Sequence, residues 1–276
     1  ARQRAEKEGE LLATLPRRVV AHGHVRLPET PRFRARSVEY DLRDFAPKVD
    51  RKTLYSLNWK FGGSATRAKS GHTAAELDAL FDEWVDRAAK HGWLRPQGLF
   101  GLFPCFSDGD GVVLLDPEDP GKETARLDFT KVLGAGNEDV LSGAQFFPPR
   151  DGGAPGVIGL QITTGGPRVD TFIEQMKADG DSESALLLQG LSDRLAEDMA
   201  DHLHELQREL LGIPGGQGIR WSPGYPGMRE MQMNRVILET LGAGPAIGVV
   251  VTPAGEFSPT GTTAAVVSFH PEARYS

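Results

Sequence analysis

The sequence predicts an α+β fold: one compact domain with a mainly antiparallel sheet and several helices. Two observations carry this. Candidate strands come in runs and candidate helices in clusters, not in strict βαβ alternation. The chain also has no G-x-G-x-x-G after a strand, no P-loop and no repeat at a fixed period, which argues against a doubly wound nucleotide fold or a solenoid.

The elements follow in order. Residues 1–15 read as a charged helix, with Glu6, Glu8 and Glu10 beside Arg2, Arg4 and Lys7, ending before Pro16. Pro28, Pro31 and Pro47 punctuate residues 16–47, favouring extended chain or loop. Residues 1–39 are thus expected to form a charged N-terminal connector and extended segment, with the domain proper over 40–276. Thr73-Ala74-Ala75-Glu76 is a capping-box pattern that opens a helix to about Lys90, striped by Leu77, Leu80, Phe81, Trp84, Val85 and Ala88. Short strands are expected at 98–103, 112–115 and 125–129, and another at 157–163, stopped by Gly165-Gly166-Pro167. A short helix over 169–177 precedes the strongest helical signal, 183–211. There Leu188, Leu191, Leu195, Met199, Leu203, Leu206 and Leu210 line one face, and Asp193, Glu197, Asp201, His204 and Arg208 are expected on the polar face opposite. A last helix over 228–241 and closing strands at 247–251 and 264–269 complete the prediction.

Composition narrows the function. The chain of 276 residues carries 31 Lys plus Arg against 38 acidic residues, net −7, so a nucleic-acid surface is not its main business. Hydrophobic residues make up 39%, enough for a sizeable core, but no apolar run approaches a membrane span. The single cysteine, Cys105, excludes an intrachain disulfide framework and a thiolate-rich metal site, and a reducing cytoplasmic home is the simplest expectation. The N-terminus lacks an initiating Met and a signal-peptide pattern, as expected of a piece of something longer.

Several features carry little chemistry. His202 and His204, two apart on a helix, point about 200° apart and cannot share a metal. His22-Gly23-His24 has no acidic or histidine neighbours in sequence to complete a first shell. Cys105 follows an apolar strand, where an inert buried thiol is the rule; a hydrolase built on it would need a nearby histidine base. No G-x-S-x-G elbow exists.

The segment Gly218-Ile219-Arg220-Trp221-Ser222-Pro223-Gly224-Tyr225-Pro226 is richer. Pro223-Gly224 suits the centre of a type II turn, which would bring Arg220, Tyr225 and exposed backbone into one small volume. Arginine grips a carboxylate bidentately, and tyrosine offers a flat apolar body with a hydroxyl tip. The set suits an amino-acid-like ligand bearing an aromatic base, although a surface turn with a solvated arginine has the same pattern.

Here the sequence resembles a known family. The run is similar to the R-x-x-x-G-Y-P signature of the S-adenosylmethionine-binding activation domain of cobalamin-dependent methionine synthase. Four other segments resemble that family in its order: Gly98-Leu99-Phe100-Gly101-Leu102-Phe103-Pro104, Thr164-Gly165-Gly166, Asp193 to Glu197 with His202 to Glu205, and Ser268 to Tyr275. The resemblance assigns Arg220 to the ligand's carboxylate, Ser222, Gly224 and Tyr225 to the turn that walls the site, and Glu197, Asp50, Tyr275 and Ser276 to further ligand contacts. It departs from the family at Gly227-Met228-Arg229-Glu230, where Cys-Pro-x-His is usual, and at Pro214-Gly215-Gly216-Gln217, where a longer loop is nearly deleted. It implies a domain that binds S-adenosylmethionine and docks over cobalamin held by a partner domain, with electrons from a flavodoxin-type or diflavin reductase. Methyl transfer to homocysteine is not expected of this chain alone, and no catalytic acid, base, nucleophile or metal is implied. The competing expectation is a scaffold or metabolite sensor of the same fold that has lost transfer.

Overall fold

In a computed structural model, residues 2–21, 33–61, 71–242 and 244–275 are described. His22 and His24 lie outside them.

A seven-stranded antiparallel sheet organises the chain. Its strands are β1 (Phe33–Glu39), β2 (Gln97–Asp108), β3 (Gly111–Leu115), β4 (Glu123–Asp128), β7 (Gly156–Thr164), β8 (Ile219–Trp221) and β11 (Thr262–Ser268). The hairpins β5–β6 (Val132–Leu133, Val140–Leu141) and β9–β10 (Val250–Val251, Phe257–Ser258) stand apart. The spatial order is β4-β3-β2-β7-β11-β8. Strand β2 is longer than expected because it serves two partners along one edge: its first half pairs with β1 and its last residues with β3. Cys105 sits within β2, fully buried, and burial holds its thiol well above the usual range, where a thiolate nucleophile does not form.

The helices are α1 (Arg2–Thr14), α2 (Leu42–Phe45), α3 (Ala74–His91), α4 (Val169–Ala178), α5 (Ser182–Leu211) and α6 (Met233–Leu241). The expected capping box opens α3: Thr73 accepts from Glu76 N–H while the Glu76 carboxylate takes Thr73 N–H. Gly92, left-handed at φ 64°, closes it. Among the described residues no helix is long and apolar enough to cross a membrane.

The two larger cores lie on opposite sides of the sheet. On one face Phe103, Leu160, Ile162 and Val266 pack with Trp221, Ile237 and Leu241. On the other, a helical core joins Phe45, Trp59, Phe81 and Trp84 to Leu188, Leu191, Leu195 and Met199 of α5. Helix α5 meets the sheet through an apolar patch, Leu210 and Leu211 against Leu102, Val157 and Val267, and through polar contacts. Alternation along β7 turns Gln161 and Thr163 toward it, where Gln161 Nε2 donates to the Ala200 carbonyl at 2.8 Å and Thr163 Oγ1 to that of Ala196 at 2.7 Å. These bonds satisfy buried polar groups and lock the register of α5, which fixes where Glu197 and Asp201 emerge.

Three sequence expectations need correction. The last helix starts at Met233, not Met228, because the Met228 backbone closes a turn: Gly224 N–H donates to its carbonyl at 2.8 Å and its own N–H to Tyr225 at 2.8 Å. The expected strand over 247–251 shrinks to Val250–Val251 beyond a 3₁₀ turn at Gly244–Ile247. His204 and Arg208 are not on a solvated face. The chain after β11 and the loop before β8 cover that side of α5, so His204 lies beside the Phe269 ring and Arg208 donates to the Gln217 carbonyl at 2.6 Å.

His204 therefore predicts a pH dependence. Burial, reinforced by the charges of Arg208 and Arg220, pushes its pKa down to about 3. Between that value and about 6.5 the unfolded chain binds the proton that the folded chain refuses, so stability falls as pH falls through this window. The expected loss attributable to His204 between pH 7 and pH 5 is about 2 kcal/mol. Urea midpoints at the two pH values should differ less in His204→Gln than in the parent; an unchanged difference would contradict the assignment.

Candidate functional site

The edge strand β8 builds the site by alternation. Paired with β11, it sends Trp221 into the core, where the ring stacks on Phe146 (centroids 5.8 Å apart) and meets Phe129 edge-on at 5.5 Å. Arg220, one residue earlier, projects to the opposite side, toward α5. There its Nη2 donates to Asp201 Oδ1 at 2.7 Å, with the side chain only 19% exposed. The Ser222–Tyr225 turn follows directly. Tyr225 N–H donates to the Ser222 carbonyl at 3.3 Å, and Gly224 takes φ +90°, as a type II turn requires. A Cβ at Gly224 would also lie 2.6 Å from the Met231 sulfur. From the end of the chain, the Tyr275 hydroxyl donates to the Arg220 carbonyl and its ring packs edge-on to Trp221 at 6.3 Å.

Two cavities meet here and share Glu197, Ser222 and Tyr225 in their walls. One, of about 580 Å³, adds Arg220, Arg229, Tyr275 and Glu8, so its lining carries both charge signs. The other, of about 550 Å³, is acidic, with Asp193 and Glu256 beside Glu197 and with Asn58, Asn234 and three threonines. Burial raises the Asp193 carboxyl above its usual value; Gln189 donates to it and opposes the shift, while the charges of Asp170 and Glu197 add to it. Burial likewise raises Tyr275, so it stays a neutral hydroxyl donor. Tyr225 and Tyr275 are nonetheless open to solvent at the rim, 63% and 56% exposed. Such a lining can hold a small molecule with a carboxylate at one end and positive charge nearby.

Of the residues singled out by sequence, Glu197, Arg220, Ser222, Tyr225 and Tyr275 line one cavity, and Gly224 shapes its wall. Asp50 lines neither cavity. Its carboxylate accepts from Thr53 N–H at 3.1 Å and Thr53 Oγ1 at 2.5 Å, capping the turn over Arg51–Thr53, while its own N–H donates to Asp198 at 2.9 Å. It stands at the start of the segment whose far end, Asn58, reaches the acidic cavity. Ser276 lies outside the described residues. Sequence reasoning passed over Asp193 and Asp201 as site residues, although with Glu197 they recur every four residues on α5, the spacing of a helix face. Glu8 and Arg229, ion-paired at 3.2 Å across 221 residues, left no signal in the sequence.

A charged, tyrosine-rimmed cleft lies where a long helix crosses an antiparallel sheet, in a domain of the α+β class. The family model described as "Vitamin B12 dependent methionine synthase, activation domain" matches residues 41–276, and the chain belongs to that family. It is 23% identical over 300 residues to methionine synthase of Mycobacterium leprae and 24% identical over 302 residues to that of Mycobacterium tuberculosis. Each alignment covers 98% of this chain but 24% and 25% of the relative, so the chain spans about a quarter of the length of these curated relatives. A crystal structure of the MetH reactivation domain bound to AdoHcy shares the fold, with a TM-score of 0.79 at 23% identity over 95% of this chain and 89% of that one.

Proposed function

We propose that this chain binds S-adenosylmethionine and positions it for reductive methylation of cob(II)alamin, reactivating cobalamin-dependent methionine synthase. The observation that carries the reading is convergence: Glu197 from α5, Arg220 from β8, Ser222 and Tyr225 from the turn and Tyr275 from the chain end all line one cavity. The fold is shared with a domain whose crystal structure holds AdoHcy, the demethylated form of that ligand. Arg220 would take the ligand's carboxylate, and Glu197 would lie toward its ammonium and sulfonium, which both prefer nearby negative charge. Tyr225 and Tyr275 would flank its apolar parts. No residue here needs to move a proton; the chain's own contribution is orientation.

Cobalamin, held by a neighbouring domain, would supply the metal that receives the methyl group. A flavodoxin-type or diflavin reductase would supply the electron. In this reading residues 40–276 carry the binding unit and 1–39 lead into it. Arg18 forks onto Asp139 at 2.6 and 2.8 Å, β1 pairs with β2 and Glu8 is ion-paired with Arg229, so the leading segment is itself bound to the domain at these points.

Calorimetry of the folded chain should show binding of S-adenosylmethionine and of its demethylated product. Label from methyl-labelled S-adenosylmethionine should reach cobalamin faster with this chain than without it, given a cobalamin-binding domain and a reductant. No heat at millimolar ligand would sink the binding reading. Binding without faster labelling would favour a scaffold or sensor.

A further inference from the structure

The proposed site places one arginine at the carboxylate end of the ligand, and the structure shows what holds it. Two arginines meet along the same stretch of α5, Arg208 on the helix and Arg220 across from it on β8, and each is ion-paired with an acid of the helix. Arg208 is ion-paired with Glu205, three residues earlier on the helix, and Arg220 is ion-paired across from β8 with Asp201. The two guanidiniums are near enough to repel, and with His204 buried and neutral between these turns, Asp201 is the negative charge that draws Arg220 in. Asp201 takes a single Nη2 hydrogen, so one two-pronged edge of the guanidinium remains for another carboxylate. Its location separates support from competition: Arg220 lines the cavity, whereas Asp201 lines neither cavity, so a ligand reaching Arg220 need not displace it.

We propose that Asp201 is the positioning residue of the site: it anchors the Arg220 guanidinium from behind and presents its remaining N–H donors to the cavity for the carboxylate of an amino-acid-bearing nucleoside. The inference rests on the ligand reading above. A preorganised arginine does not have to give up its side-chain freedom on binding, and that is the affinity Asp201 contributes. Glu197 and Asp201, four residues apart, then share one face of α5 with divided work: one faces the ligand, the other holds the residue that does.

The full chain with Asp201→Ala should bind S-adenosylhomocysteine about 5- to 20-fold more weakly by calorimetry, with little change in melting temperature because Asp201 is exposed. Asp201→Glu should recover binding to within about threefold of the parent, since a carboxylate is restored. Unchanged or tighter binding by Asp201→Ala would overturn the proposal, and so would a loss that Asp201→Glu does not repair. Nitrogen-15 spectra of the arginine side chains test the same point without ligand. Arg220 should show slowed rotation about its Cζ–Nη bonds in the parent and averaged signals in Asp201→Ala; identical spectra would also overturn it. If the parent itself binds no ligand, the functional reading fails, and the spectra alone decide whether Asp201 holds Arg220.

Discussion

Replacing Arg220 with alanine is expected to weaken binding of S-adenosylmethionine and of its demethylated product about 10- to 150-fold, the loss of a charge-assisted bond worth about 1.5–3 kcal/mol. The size follows from the setting. The guanidinium is mostly withdrawn from water, already ion-paired with Asp201, and lines a cavity whose other arginine, Arg229, is exposed. Arg229 lines the same cavity and provides the control. It is 53% exposed and bound to Glu8, itself an exposed partner, so solvent screens it, and Arg229→Ala should cost less than about threefold. Calorimetric titration of the two variants decides the matter. Equal losses would move the carboxylate contact away from Arg220.

The largest effect on stability is expected at Gly101. Strand β1 does not run evenly along β2: the register shifts between Phe33 and Arg36, and the irregularity brings the Arg34 carbonyl against the Gly101 Cα. A Cβ there would overlap that oxygen and come within 2.8 Å of the Phe103 ring, and neither is the free end of a flexible side chain. Gly101→Val should force β1 off the sheet and strain the packing of β2, costing about 3 kcal/mol or more. Two measurements check it: a lowered urea midpoint, and loss of hydrogen-exchange protection confined first to 36–39 and their partners on β2. An unchanged midpoint would mean that β1 can shift at little cost. The glycine of the G-L-F-G-L-F-P run is thus a packing requirement, at a distance from the ligand cavity.

Much of the fold was legible because its signals are local. The Thr73–Glu76 box, the leucine stripe of α5 and the Pro223-Gly224 turn are short-range patterns whose geometry follows from periodicity, capping and φ preference. The misread positions share a different cause. His204 and Arg208 look solvated on a helical wheel, but segments distant in sequence cover them. Residues 228–232 look helical, but the Met228 backbone is committed to the turn at Tyr225 and the Arg229 N–H to the Thr130 hydroxyl. For Asp50, by contrast, the structure adds a local role, its carboxylate capping the turn over Arg51–Thr53.

The site divides along the same line. By itself the sequence determined the α+β class, the turn that carries Tyr225 beside Arg220, and, through the resemblance, a set of candidate ligand contacts. It could not determine that α5 crosses the sheet with Glu197 beside that turn, because this depends on Gln161 and Thr163 finding carbonyls on a helix more than thirty residues away. Nor could it determine that Asp201 pairs with Arg220 while Glu205 takes Arg208, or that Glu8 reaches the cavity rim beside Arg229. Charge pairing falls steeply with distance, and the chain sets those distances only once both cores have packed.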